Sequence, residues 1–133
     1  MQAAKKIIVV DDEEDISAGM RRVLSKKGYE VFAFTDGGKA LEKLREWGWA
    51  DLIILDIMMP KMDGFEALRQ VQSGGYEDIP IIFVTAKSES KDIALGHDRG
   101  AKIYLTKPFK PEALLNAVHF LIGEPACAGS PNS

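Results

Sequence analysis

Five side chains suited to polar chemistry stand at, or directly after, the ends of short apolar runs: Asp11, Asp12, Asp56, Thr85 and Lys107. Carboxylates that lie close together resist ionising together unless a cation compensates their charge. A Mg²⁺ ion held by a few carboxylates, a carbonyl and water satisfies such a cluster. Lys107 would neutralise the remaining charge and later pair with an oxygen of an incoming phosphoryl group.

The apolar runs predict the strands that position these groups. Four of them are continuous, at residues 7–10, 52–55, 81–84 and 103–105, and a fifth, at 29–34, alternates in part. Continuous runs this short, rich in β-branched residues, are typical of strands buried on both faces of a parallel sheet. Ligands of such sheets bind beyond the carboxyl ends of the strands, so the five side chains are expected to meet at one edge.

Helical spacing of apolar residues separates the runs. Gly28 is expected to end the first helix and Pro111 to open the last one. The helical segments lie within residues 16–24, 40–44, 65–71, 90–99 and 114–122, of which 90–99 has the thinnest apolar stripe. Strand and helix alternating five times predicts an α/β fold, with a parallel sheet covered by helices on both sides.

Composition excludes several classes of protein. Apolar residues make up 46% and charged residues 28%, which is ordinary for a globular domain and argues against disorder. A net charge of −3 gives no reason to expect direct binding to nucleic acid or to a membrane surface. The only cysteine, Cys127, suits a reducing compartment, and no apolar stretch approaches the ~20 residues that span a bilayer. We expect a cytoplasmic protein.

A chain of 133 residues fits one domain, which we place at residues 1–122. Residues 123–133 contain two prolines and two glycines and carry no charge after Glu124. This composition is typical of a flexible tail or the start of a linker.

Each polar fragment alone has a simpler explanation. Asp12, with Asp15 three residues later, could cap the first helix. Asp56 could start a turn, Thr85 could merely end a strand, and Lys107 could lie in an ordinary loop. Together they favour chemistry, because four separate strand ends supply groups to one edge.

Four motifs, in this order and spacing, resemble the receiver domain of two-component response regulators, a family that includes the chemotaxis response regulator. They are residues 7–13, 55–64, 84–86 and 104–109, within a resemblance that covers roughly residues 5–122. The resemblance implies a flavodoxin-like (βα)5 fold, in which a doubly wound five-stranded parallel sheet has the strand order 2-1-3-4-5.

The resemblance also implies roles for the polar residues. Asp56 would be the phosphoacceptor and, with Asp11, Asp12 and the backbone carbonyl of Met58, would hold Mg²⁺. Lys107 would pair with Asp56 at rest and with the phosphoryl group afterwards.

Further implied roles concern switching. Thr85 and the backbone amide of Ala86 would bond phosphoryl oxygens, and Tyr104 would follow Thr85 from an exposed to a buried rotamer. Glu13 is interpreted separately, as negative charge that complements the dipole of the first helix.

The implied partners are a histidine kinase or phosphotransfer protein, which donates from a phosphohistidine, and a downstream effector or output domain. The effector would contact the face formed by residues 90–122, and a homodimer of the phosphorylated form is possible. Lys102 and Ile103 stand where the family usually has an acidic residue, which puts the partner and the dimer in doubt. Such a domain is regulatory, although it catalyses its own phosphoryl transfer and dephosphorylation.

Three alternatives remain at this point. A pseudo-receiver would act as an interaction module without phosphorylation, and need not keep the full polar set. A phosphatase with an aspartyl-phosphate intermediate would place a second acid where this chain has Met58. A flavin-binding module would need a phosphate-binding loop where Asp11, Asp12 and Glu13 would repel phosphate.

Overall fold

A computed structural model describes residues 4–57, 64–85 and 103–125. These ranges contain five strands and four helices, in the order β1 (Lys6–Val10), α1 (Glu14–Lys27), β2 (Glu30–Phe34), α2 (Gly37–Trp47), β3 (Leu52–Asp56), α3 (Gly64–Ser73), β4 (Ile81–Thr85), β5 (Ile103–Thr106) and α4 (Pro111–Ile122). All strand pairs are parallel, and the sheet order is β2-β1-β3-β4-β5. The predicted α/β fold and strand order are confirmed, while the helix predicted at 90–99 lies outside the described residues.

The central strands bury both of their faces, because consecutive side chains of a strand point to opposite sides of the sheet. On β1, Ile8 and Val10 pack in the apolar cluster that includes α2 and α3, whereas Ile7 and Val9 pack in the cluster that includes α1 and α4. Every residue of β3 is buried. Strand β5 is only half-buried along its length, since it pairs with β4 alone within the described sheet.

Helix ends follow local chemistry. Helix α1 ends at Gly28, whose φ of 109° is left-handed and favours glycine. Helix α2 begins after Asp36, whose carboxylate accepts hydrogen bonds from the backbone N–H groups of Gly38 and Lys39. None of the described helices is long and apolar enough to cross a membrane.

The chain after α4 is tied to the start of the sheet. The Tyr29 hydroxyl donates to the carbonyl of Gly123 at 2.6 Å, and the backbone N–H of Lys5 donates to the carbonyl of Pro125 at 2.8 Å. The Lys5 ammonium donates to the carbonyl of Ile122. We call these three contacts the C-terminal clasp. Two of them hold Gly123 and Pro125 at the start of the predicted tail, and the third holds Ile122 at the end of α4. The tail beyond residue 125 stays a prediction.

Candidate functional site

The candidate residues occupy one edge of the sheet because parallel strands end on the same side. Asp11 follows β1, and its backbone N–H donates to the carbonyl of Phe34 at the end of β2 at 3.0 Å. Asp56 is the last residue of β3, in register with Val84 of β4. Lys107 follows β5 directly, and its bond to Pro108 is cis.

Three carboxylates lie close together at this edge of the sheet. Asp11 is 0% exposed and Asp56 is 3% exposed, while Asp12 is more open to solvent. One oxygen from each of the three lies within 4.8 Å of the others. Several oxygen ligands converging on one point suit a hard divalent cation such as Mg²⁺.

The two oxygens of Asp11 have different environments. Oδ1 accepts the backbone N–H of Glu13 at 2.9 Å, which fixes the orientation of the carboxylate. Oδ2 is buried and accepts no hydrogen bond of ordinary geometry from the described residues, although an ammonium lies near it. A buried carboxylate oxygen without a hydrogen bond is costly unless a cation compensates it. In this structure the Lys107 ammonium supplies that compensation. The three carboxylates whose oxygens lie close together also fit a bound Mg²⁺.

Lys107 supplies the positive charge of the site. Its ammonium nitrogen lies 2.9 Å from Asp11 Oδ2, 3.2 Å from Glu13 Oε1 and 3.5 Å from Asp56 Oδ2. Burial by itself lowers the pKa of Lys107, but the attraction of the surrounding carboxylates outweighs it, so this pKa lies above its ordinary value of 10.5. Lys107 is therefore charged throughout the neutral pH range.

Glu13 contacts Lys107, which the sequence did not predict. It is the N-cap residue of α1, so its charge does lie at the helix N-terminus, but its side chain makes no capping hydrogen bond. Its carboxylate contacts the Lys107 ammonium instead. The alternative in which Asp12 caps this helix is wrong, because Glu13 occupies the cap position. The only sequence signal for Glu13 was its place in an acidic run.

The predicted switch residues lie beside this edge. Thr85 ends β4, where its backbone is in register with Thr106 of β5. Tyr104 is half-buried on β5, and its ring meets that of Phe83 edge-on, with centroids 5.5 Å apart. Met58 and Ala86, which were predicted to contribute backbone groups, lie outside the described residues.

Comparisons with known proteins agree on one family. The profile of the response regulator receiver domain matches residues 7–119. The alkaline phosphatase synthesis transcriptional regulatory protein PhoP of Bacillus subtilis is 46% identical over 107 residues, which are 80% of this chain and 44% of PhoP. The transcriptional regulatory protein DltR of Streptococcus agalactiae is 44% identical over 110 residues, which are 83% of this chain and 48% of DltR.

Solved structures give the same result. The chemotaxis protein CheY4 of Vibrio cholerae superposes with a TM-score of 0.84 at 34% identity, over 90% of this chain and 99% of CheY4. The chain thus spans about half the length of the curated relatives it matches and nearly all of this structural neighbour.

Proposed function

Because the chain belongs to the response regulator receiver domain family of two-component signalling, we propose that it is a phosphorylation-activated switch whose phosphoacceptor is Asp56. One observation carries the proposal. The Asp56 carboxylate is 3% exposed and lies in a group of three carboxylates, with an ammonium 3.5 Å from its Oδ2. A protein used only for binding has no need to hold these groups together.

Asp56 acts as the nucleophile of the proposed reaction. An oxygen of its carboxylate forms the new bond to phosphorus, the nitrogen–phosphorus bond of the donor phosphohistidine breaks, and the imidazole nitrogen keeps the electron pair. The donor belongs to a histidine kinase or a phosphotransfer protein. Water later attacks the same phosphorus, and Asp56 leaves as a carboxylate.

Charge stabilisation accounts for most of the catalysis in phosphoryl transfer. Lys107 is charged at neutral pH and lies close enough to Asp56 to face the negative oxygens of the transferred group. Asp11, Asp12 and Asp56 would hold Mg²⁺, together with the backbone carbonyl of Met58. The bound ion would supply compensation for the carboxylates and for the phosphoryl oxygens.

Switching requires the phosphoryl group to favour one conformation over another. Reversing a 1:99 population takes about 5.5 kcal/mol, and each hydrogen bond to a charged group contributes roughly 1.5–3 kcal/mol. Bonds from the Thr85 hydroxyl and the Ala86 amide to the phosphoryl group would supply much of that difference. Tyr104 would then move towards the interior behind Thr85.

The output surface of the proposed switch would lie within residues 90–122, as the family resemblance implies. It would contact a downstream effector or an output domain, or a second phosphorylated copy. PhoP and DltR are transcriptional regulatory proteins about twice as long as the matched region, which supports an output domain beyond the tail at residues 123–133 in a longer form of this chain. A phosphohistidine donor of this kind supports a cytoplasmic location for the proposed activity.

Intact-mass analysis tests the proposal directly. The native chain is treated with a small phosphodonor, with and without Mg²⁺, beside Asp56→Asn, whose side chain has nearly the same shape but is a poor nucleophile. We expect one Mg²⁺-dependent phosphoryl adduct on the native chain, which hydroxylamine removes, and none on the variant. No adduct on the native chain would favour the pseudo-receiver, and an adduct surviving in Asp56→Asn would move the acceptor elsewhere.

A further inference from the structure

Lys107 occupies the place where its charge competes with a cation. Its ammonium lies 2.9 Å from Asp11 and 3.5 Å from Asp56, which are two of the three carboxylates that could hold a metal ion. An ammonium and a metal ion held by the same two carboxylates repel each other. Binding of Mg²⁺ therefore favours a position of the Lys107 ammonium farther from at least one of these carboxylates.

Glu13 offers the ammonium another partner. Its Oε1 lies 3.2 Å from Lys107 Nζ, and it is not one of the three carboxylates of the metal group. Its side chain is 62% exposed, whereas Asp11 and Asp56 are buried. The backbone N–H of Glu13 donates to Asp11 Oδ1, so the position of Glu13 is tied to that of Asp11.

From this arrangement we propose that Glu13 is a positioning residue, which accepts the Lys107 ammonium when Mg²⁺ binds and so keeps it from blocking the metal site. The inference rests on the proposed function, because it presumes that Asp11, Asp12 and Asp56 take Mg²⁺. Without Glu13, the ammonium has only the metal-binding carboxylates as partners among the described residues. Lys107 then stays over them, and Mg²⁺ binds more weakly.

A double-mutant cycle separates this role from a general charge effect. The four proteins are the native chain, Glu13→Gln, Lys107→Ala and the double variant, and Mg²⁺ affinity is measured by isothermal titration calorimetry. Glu14→Gln is the matched control, because it removes the same charge from the next residue, the first of α1. Glu13→Gln loses no capping hydrogen bond, since the Glu13 side chain makes none.

We expect Glu13→Gln to weaken Mg²⁺ binding about two- to fivefold, the range of a partly exposed ion pair. In the Lys107→Ala background the same change should weaken binding no more than Glu14→Gln does in the native chain. Glu13→Asp, which keeps the charge but shortens the reach, should behave more like Glu13→Gln than like the native chain. Thermal unfolding of each variant in metal-free buffer checks that the fold is retained.

Two results would overturn the inference, and they differ in whether they also contradict the proposed phosphorylation switch. An equal loss of affinity in both backgrounds would make Glu13 a simple source of negative charge and leave the phosphorylation switch standing. A native chain that binds no Mg²⁺ at all would remove both the positioning role and the metal-dependent switch.

Discussion

The ammonium nitrogen of Lys107 lies 2.9 Å from the buried Oδ2 of Asp11, although the two residues stand near opposite ends of the chain. Asp11 follows β1 and Lys107 follows β5, and strands β3 and β4 lie between them in the sheet. The long lysine side chain therefore reaches across the carboxyl edge of the sheet. This ion pair connects the part of the candidate site after β1 with the part after β5.

Replacing Lys107 by methionine should destabilise the protein in metal-free buffer. The change leaves the buried carboxylates of Asp11 and Asp56 without their ammonium partner, at a cost of about 1–3 kcal/mol in the free energy of unfolding. Urea unfolding at neutral pH measures the difference. Lys110→Met is the control, because Lys110 is exposed, and it should change stability by less than about 0.5 kcal/mol. Equal stability of the two variants would show that the ion pair contributes little.

Magnesium should stabilise the native chain through Asp12. A ligand present at 100 times its Kd stabilises the folded state by about 2.7 kcal/mol, which raises the Tm. Asp12→Asn should lose most of this rise, yet be no less stable than the native chain without metal, because it relieves repulsion among the three carboxylates.

Asp15→Asn is the matched control for that measurement. Asp15 is exposed in the first turn of α1 and does not belong to the carboxylate group, so this variant should keep the full Mg²⁺-dependent rise in Tm. An equal rise in Asp12→Asn would place the metal elsewhere.

Tyr29 should make stability depend on pH in the alkaline range. Burial, reinforced by the negative charge of Glu124, raises the pKa of Tyr29 above its ordinary value of 10.0. A raised folded-state pKa adds stability that is fully present below pH 10.0 and is lost as the pH rises through the folded-state value. We therefore expect the urea midpoint of the native chain to fall above about pH 10, where the unfolded phenol ionises.

Tyr29→Phe tests the same contact without a titratable group. It removes the hydrogen bond to Gly123 and should cost about 1 kcal/mol at neutral pH. Its urea midpoint should fall less steeply than that of the native chain between about pH 9 and pH 11. Parallel pH curves for the two proteins would contradict the role given to Tyr29 in the C-terminal clasp.

Tyr104 should report activation. If the proposed switch operates, phosphorylation moves this ring from its half-buried place beside Phe83. ¹⁹F NMR of protein labelled with fluorotyrosine should show the Tyr104 resonance shifting when phosphodonor and Mg²⁺ are added, while that of Tyr29 stays in place. The shift should be absent in Asp56→Asn, and an unchanged Tyr104 resonance in a fully phosphorylated native chain would exclude it as the switch aromatic.

The fold was predictable because its signals are local. The apolar runs at residues 7–10 and 52–55 correspond to the buried strands β1 and β3, and Gly28 and Pro111 mark helix ends where they were expected. The strand order came from the family resemblance, since apolar periodicity does not say which strands become neighbours. The prediction that the run at 103–105 is buried on both faces is wrong for the same reason, because an edge strand and a central strand of similar composition look alike.

The sequence by itself determined which groups end each strand, and hence that Asp11, Asp56 and Lys107 share one edge of a parallel sheet. Only the tertiary structure decided that Lys107 lies closer to Asp11 than to Asp56, that Glu13 contacts the same ammonium, and that Tyr29 and Lys5 hold the chain after α4. Strand patterns depend on neighbours in the sequence, whereas these contacts depend on strand order and on how far each side chain reaches across the folded sheet.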